Sequence, residues 1–368
     1  MAAVRMADLP ETGTDVLVVG AGPTGLMAGL VLTRRGVPVV VVDQKERPTR
    51  ESRALAVQAR TMEIYDQLGL ADQVLTGAYP ALQMQIGTDP PLGGISIARL
   101  QQGETRFPGI QIFEQSANEQ LLSRSLAAAG TDVLWRHRLI DLIDDAGQAQ
   151  GQVMALLDGP EGLVRVRARW CIGADGARSA VRRELDIPFE GVTDDATFWV
   201  ADLRGVRGLP DDSMAARFGD ATFAVAFPLG PAHLAPWLLR TRLGRRIGGY
   251  LGQYRIRYRF AATSAPTPAW AADRAVGLRL PPVHGNHRPL RTLAWQVHTY
   301  GTHAARPDLP AWIEGPHRFP ADQKGRLQAG RLYLIRPDGY VAASLPVHAG
   351  HVSQADLRDA LAAHQLRN

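Results

Sequence analysis

Gly20, Gly22 and Gly25 stand at GxGxxG spacing, and Asp43 follows 18 residues after the last of them. That combination can hold a dinucleotide. The first glycine permits a tight turn, the second lets the backbone approach a pyrophosphate, and the third lets a helix pack closely on the preceding strand. A carboxylate at the end of the next strand can accept hydrogen bonds from an adenosine ribose. Pro23 and Thr24 inside the motif and Gln44 beside the acid complete this candidate binding set. The motif by itself serves NAD and FAD alike.

A second stretch, GADGARSAVRREL from Gly173 to Leu185, also places a small-residue turn between an apolar strand and a helix. Backbone amides and a helix N-terminus there can face an anion, with Asp175 at the turn. The same Asp175 can instead cap the helix through its side chain, and the sequence leaves both roles open. Arg53 and Arg60 are either solvated surface charges or, for Arg53 above all, contacts to a diphosphate. No GxSxG elbow occurs, and Ser179 sits inside the second motif rather than beside a base, so a hydrolase finds no support. The histidines His284, His287, His298, His303 and His317 lack paired spacing and cysteine or carboxylate companions, which argues against a metal centre.

These residues need a strand, a helix and a second strand to hold them, and the flanking sequence supplies all three. Val16 to Val19 is a continuous apolar run suited to a parallel strand buried on both faces. Ala28 and Gly29 help the following helix to pack, Gly36 ends it, and Val39 to Val42 is a second buried strand leading into Asp43. From about Ala54 the apolar residues Leu55, Met62, Ile64, Tyr65 and Leu68 predict a helix closed at Gly69. Between Ala81 and Ile110 the stretches LQMQIG, ISIARL and ETRFPGIQIF predict antiparallel strands in a second layer. EQSANEQLLSRSLAAAG predicts a helix with Ser116 as N-cap and Gly130 as its stop. TDVLWRHRLIDLIDD then predicts a strand, followed by a hairpin turning at Asp158 to Pro160 and a buried strand from Ala168 to Ile172.

At 368 residues with 45% hydrophobic content, the chain has room for two or three domains. The net charge of +5 comes from scattered arginines, and no basic run interleaved with aromatics points to nucleic acid. The single cysteine, Cys171, cannot form an internal disulfide and reads as a buried core thiol in a cytoplasmic protein. No apolar run approaches the roughly 18 residues a membrane span needs. Residues 1–14 lack the apolar core of a signal peptide and read as a disordered leader.

Taken together, GxGxxG at Gly20 to Gly25, SRA at Ser52 to Ala54, Gln115 ahead of a helix and DGxxSxVR at Asp175 to Arg182 resemble the class A flavoprotein monooxygenases, the para-hydroxybenzoate hydroxylase family. Within that family the likeness is to actinobacterial aromatic-polyketide hydroxylases, and it runs to about Gly230. The resemblance implies an α/β fold with a Rossmann-like FAD-binding domain over residues 15–190, built on a parallel sheet with antiparallel substrate-layer strands inserted at 81–112. An incomplete substrate-binding sheet at 191–232, a helix and linker at 233–266, and a thioredoxin-like C-terminal domain at 267–368 follow. It gives Arg53 and Gln115 contacts to FAD, and places Asp175 and Arg178 beside both the FAD diphosphate and the approach of the nicotinamide cofactor. The implied reaction has NAD(P)H reduce FAD, O2 add at the flavin C4a position, and the hydroperoxide hydroxylate a phenolic or aromatic-polyketide small molecule. Baeyer-Villiger insertion is the other outcome that relatives of this kind perform. The flavin carries the chemistry, so no catalytic acid or base is assigned.

The chain departs from the family in one respect. The GDAAH-type motif, whose aspartate binds the flavin ribitol, does not occur in it, as an internal deletion between about Leu229 and Leu238 would explain. The alternative function is therefore a non-catalytic remnant that binds a nucleotide or a partner, or pairs as a homodimer to cover exposed sheet. The helical stretch LLRTRLGRRIGGYLGQY is not expected to replace the missing wall fully. A third reading, an NAD-dependent dehydrogenase, uses the first motif but explains neither the second motif nor the C-terminal segment. That segment has no cysteine, so CxxC redox chemistry is excluded.

Overall fold

The apolar run at Val16 to Val19 lies at the centre of a six-stranded sheet in the computed structural model, which describes residues 9–50, 55–87, 93–144, 151–191, 212–218, 223–228, 268–301, 308–348, 351–364 and 366. In chain order the elements are β1 (Glu11–Val19), α1 (Pro23–Arg34), β2 (Val39–Asp43), β3 (Ala56–Gln58), α2 (Ala59–Gln67), α3 (Ala71–Gly77), β4 (Tyr79–Ala81), β5 (Gln83–Gly87) and β6 (Gly93–Ser96). Next come α4 (Ile97–Gln101), β7 (Ile110–Ile112), α5 (Gln115–Ala128), β8 (Val133–Trp135), β9 (Arg138–Asp144), β10 (Val153–Gly159), β11 (Gly162–Gly173) and α6 (Ala180–Glu184). The remainder are β12 (Ser213–Phe218), β13 (Phe223–Ala226), β14 (Trp295–Tyr300), β15 (Ile313–Phe319), β16 (Arg331–Ile335), β17 (Val341–Pro346) and α7 (Gln354–Ala363). The chain divides into two compact units, Met1–Leu55 with Phe113–Asp202, and Ala56–Ile112 with Leu203–Asn368.

The first unit carries the sheet β8-β2-β1-β11-β10-β9. Strands β8, β2, β1 and β11 run parallel, with β8 at the edge, while β9, β10 and β11 form an antiparallel meander. Strands covered on both faces read as unbroken apolar runs, which is why β1 and β2 show no alternation. Leu17, Val42, Ala155, Leu157 and Val166 form the core under the sheet. Helix α1 comes close enough to β2 and α5 that a Cβ on Gly29 would meet the Val41 side chain at 2.8 Å and Leu126 at 3.5 Å.

The second unit holds the sheets β13-β12-β5-β6, β3-β7-β4 and β15-β14-β16-β17. In the last of these β14 and β15 are parallel and β16 and β17 antiparallel, with α7 following the final strand. Val297, Leu332, Leu334, Ala342 and Leu357 pack between this sheet and α7.

Several local expectations need correction. Glu11 to Thr14 belong to β1 rather than to a leader, because the Glu11 carboxylate pairs with Arg165 at 3.0 Å and with Arg167 across the neighbouring strand. ISIARL is not one strand: the Ser96 hydroxyl accepts from the Arg99 amide at 3.3 Å and starts the short helix α4. Ser116 is not the N-cap of α5, since Glu114 is the last extended residue and the Ser116 hydroxyl donates to its carboxylate at 3.2 Å. The helix expected from about Ala54 begins only after β3, at Ala59. TDVLWRHRLIDLIDD makes two strands, broken where Arg136 takes a φ of +59°. The expected deletion point at Leu229 to Leu238 and the stretch LLRTRLGRRIGGYLGQY lie outside the described residues.

Candidate functional site

The chain turns at Gly20, directly after β1, with a φ of +105° that favours glycine. A Cβ on Gly20 would lie 2.3 Å from the carbonyl oxygen of Ala174, and one on Gly25 would lie 1.7 Å from the carbonyl oxygen of Gly20. Backbone therefore fills both spaces. Gly22 differs, because a Cβ there would meet nothing within 4 Å. This open space stands at the N-terminus of α1, where Gly22 is the N-cap and Pro23 the first helical residue. First-turn amides have no partner within their own helix, so Thr24 and Gly25 present donors at the positive end of the helix dipole.

Asp43 ends β2 and is buried. Its Oδ2 accepts from the Ala21 amide at 2.6 Å and its Oδ1 from the Lys45 amide at 2.7 Å, so the carboxylate is fixed against the glycine turn. Gln44 beside it is exposed.

The second motif follows β11, and the Ala174 amide donates to the Val19 carbonyl at 2.7 Å. Asp175 Oδ2 accepts from the amides of Ala180 at 2.6 Å and Val181 at 3.2 Å, while Oδ1 accepts from the Ser179 hydroxyl at 2.6 Å. Ser179 Oγ in turn accepts from the Arg182 amide at 3.0 Å. Of the two roles left open for Asp175, helix capping is the one these hydrogen bonds carry. Arg178 is exposed on the same turn. The two motifs thus meet backbone to backbone at Gly20 and Ala174.

Gln115 is the first residue of α5, and its Nε2 donates to Glu119 Oε1 at 2.9 Å. Glu119, only 1% exposed, also accepts from Lys45 Nζ at 3.1 Å and from the Thr49 amide at 2.7 Å. The sequence reading missed Glu119, Lys45 and Thr49. The i,i+4 spacing of Gln115 and Glu119, which puts both on one face of α5, is the signal that finds the first of them.

Arg53 lies outside the described residues. Arg60 is not a surface charge: it is buried in the second unit, 3.5 Å from Glu63, with its guanidinium 5.1 Å above the Tyr340 ring. Cys171 is half-buried rather than fully in the core. Burial, with the charges of Asp175 and Asp144, pushes its thiol up to about 11, so it stays protonated and is a poor nucleophile. Among the described residues no group of three or more histidine, cysteine or acidic side chains is placed to hold a metal, and His303 lies outside them. Nor is any described helix long and apolar enough to cross a membrane.

Residues 13–225 match the family described as FAD binding domain. The chain is 35% identical over 187 residues to a 6-methylpretetramide 4-monooxygenase of Streptomyces rimosus, covering 50% of this chain and 32% of that one. It is 32% identical over 177 residues to a rifampicin monooxygenase of Streptomyces venezuelae, covering 48% of this chain and 35% of that one. The chain thus spans about a third of the length of these curated relatives. The solved structure of OxyS anhydrotetracycline hydroxylase from Streptomyces rimosus shares its fold, with a TM-score of 0.65 at 18% identity over 96% of this chain and 99% of that one. The glycine turn, Asp43, Gln115 and the Asp175 turn all fall inside the family match, and the chain belongs to the FAD binding domain family.

Proposed function

We propose that this chain is an FAD-dependent monooxygenase that uses NAD(P)H and O2 to hydroxylate an aromatic small molecule of the phenol or polyketide kind. The observation that carries this reading is the convergence of two motifs distant in sequence: the backbone of Gly20 rests on Ala174, so the α1 N-terminus and the Asp175 turn share one edge of the sheet. The names of the curated relatives, a 6-methylpretetramide 4-monooxygenase and a rifampicin monooxygenase, support the same class of chemistry.

The residues present fit FAD. The space in front of Gly22 is open, and the amides of Thr24 and Gly25 with the α1 dipole suit a diphosphate there. Two backbone amides use one acceptor position on each Asp43 oxygen, which leaves acceptor capacity for a ribose hydroxyl. Gln115, Arg178 and Arg53 are assigned further contacts by resemblance. Bound FAD supplies the redox chemistry that activates oxygen. The protein's part is to bind, orient and exclude water, and no side chain is given a proton-transfer role. The single protonated thiol and the NAD(P)H requirement suit a cytoplasmic location.

The test is the visible spectrum of the purified protein and its titration with FAD, followed by NAD(P)H oxidation with phenols and mass analysis of the product. Saturable flavin uptake and a product one oxygen heavier are expected. A protein that takes up no flavin overturns the reading.

A further inference from the structure

We propose that Glu119 is a positioning residue of the cofactor site, acting through Gln115 and the Lys45–Thr49 segment; this rests on the FAD reading above. A carboxylate buried on a helix is costly unless donors surround it. Glu119 gathers three donors from three places in the first unit: Gln115 Nε2 at 2.9 Å, the Thr49 amide at 2.7 Å and Lys45 Nζ at 3.1 Å. Packing of α5 does not call for a charge at this position, since Leu121, Leu122 and Leu126 supply its buried apolar face.

The arrangement reaches two candidate cofactor contacts at once. Lys45 Nζ also lies 3.9 Å from Asp43 Oδ2 and 5.9 Å above the Trp135 ring, so one ammonium links the Glu119 carboxylate to that of Asp43. On the other side, the bond from Gln115 commits the amide's NH2 group to Glu119 and turns its carbonyl the opposite way. Glu119 therefore sets the Gln115 amide and the segment after Asp43 before any ligand arrives, which is pre-organisation of a binding site.

The experiment measures FAD dissociation constants by flavin fluorescence on the full chain, together with thermal midpoints without FAD, for wild type, Glu119→Gln, Gln115→Ala and the double variant. Glu119→Gln is expected to weaken FAD binding about tenfold, as loss of a charge-assisted hydrogen bond does. Gln115→Ala weakens it comparably, and the double variant is no weaker than the worse single, because both changes remove the same arrangement. An unchanged affinity in Glu119→Gln, with or without a lowered midpoint, overturns the proposal and leaves Glu119 a residue of the fold. Additive losses in the double variant overturn it as well. If Glu119→Gln does not fold, the cycle of Lys45→Met with Gln115→Ala takes its place, with non-additive losses supporting the proposal and additive ones overturning it. A wild type that takes up no FAD overturns the functional reading itself, whereas a wild type that binds and a Glu119→Gln that binds equally well overturn only the role of Glu119.

Discussion

Gly20 and Ala174 touch through their backbones so closely that a single carbon added to Gly20 would sit 2.3 Å from the Ala174 carbonyl oxygen. The contact joins the turn after β1 to the turn after β11, two strands that lie side by side in parallel. Parallel neighbours end at the same edge of a sheet, so each strand delivers its turn to the same place. Loops at the C-terminal ends of parallel strands are where α/β folds bind ligands, and the two motifs compose one surface there because of this pairing.

Gly20→Ala and Gly22→Ala should therefore behave oppositely. At Gly20 the new methyl group meets immovable backbone and the residue must hold a φ of +105°, so a loss of about 3 kcal/mol or more is expected. At Gly22 the φ is −77° and the space is open, so stability should stay within about 0.5 kcal/mol while FAD uptake falls. Thermal unfolding and FAD titration of both variants check the contrast. Equal destabilisation would contradict it.

The N-terminus of α6 depends on two side chains that also bind each other, Ser179 and Asp175. Ser179→Ala removes the acceptor for the Arg182 amide and should cost about 1 kcal/mol, with Ser179→Thr recovering most of it. Denaturant midpoints decide this. A neutral Ser179→Ala would mean that Asp175, through Ala180 and Val181, caps the helix alone.

The sequence showed the strand-turn-helix-strand frame because each part has a strong local cause: an unbroken apolar run, glycines that backbone contacts require, and an acid at a strand end. What failed was whatever depended on a distant partner. Arg60 looks like a surface charge until Tyr340 is brought beneath it. Glu119 looks like an ordinary helix acid until Lys45 and Thr49 close over it. The stretch ISIARL failed for a local reason, because the Ser96 cap competes with the strand alternation and wins after one residue pair.

Acid should weaken the second unit through the buried His298 and the half-buried His317. His298 Nε2–H donates to Gln296 Oε1 at 3.0 Å, and its Nδ1 accepts from the Tyr300 hydroxyl at 3.3 Å. Burial, with the neighbouring His317, holds its pKa down to about 3, and burial also lowers that of His317. In the unfolded chain both titrate near about 6.5. Between the folded and unfolded values the unfolded chain binds more protons, so stability is complete above about 6.5 and falls as the pH drops toward the folded value. The slope for His298 alone reaches about 1.4 kcal/mol per pH unit. Urea midpoints should fall between about pH 7 and about pH 5, and His298→Gln should flatten that fall. A midpoint independent of pH in this window would contradict the assignment.

Glu63 offers the sharpest test of how the second unit holds its buried charges. Its carboxylate accepts from Arg279, which is 7% exposed, and from the Thr105 hydroxyl at 2.8 Å, and it lies 3.5 Å from Arg60 Nη1. Glu63→Ala takes the shared carboxylate from two buried guanidinium groups, so a loss of about 3–5 kcal/mol is expected. Glu63→Leu combined with Arg279→Met should recover part of that loss, because it removes one guanidinium together with the carboxylate, while Arg60 still loses its carboxylate partner. Arg279 also donates to the Glu104 carbonyl, so the recovery should stop short of wild type by about 1 kcal/mol. Equilibrium unfolding of the single and double variants separates these terms. If Glu63→Ala alone costs under about 1 kcal/mol, solvent reaches the pair and its charges are screened as on a surface.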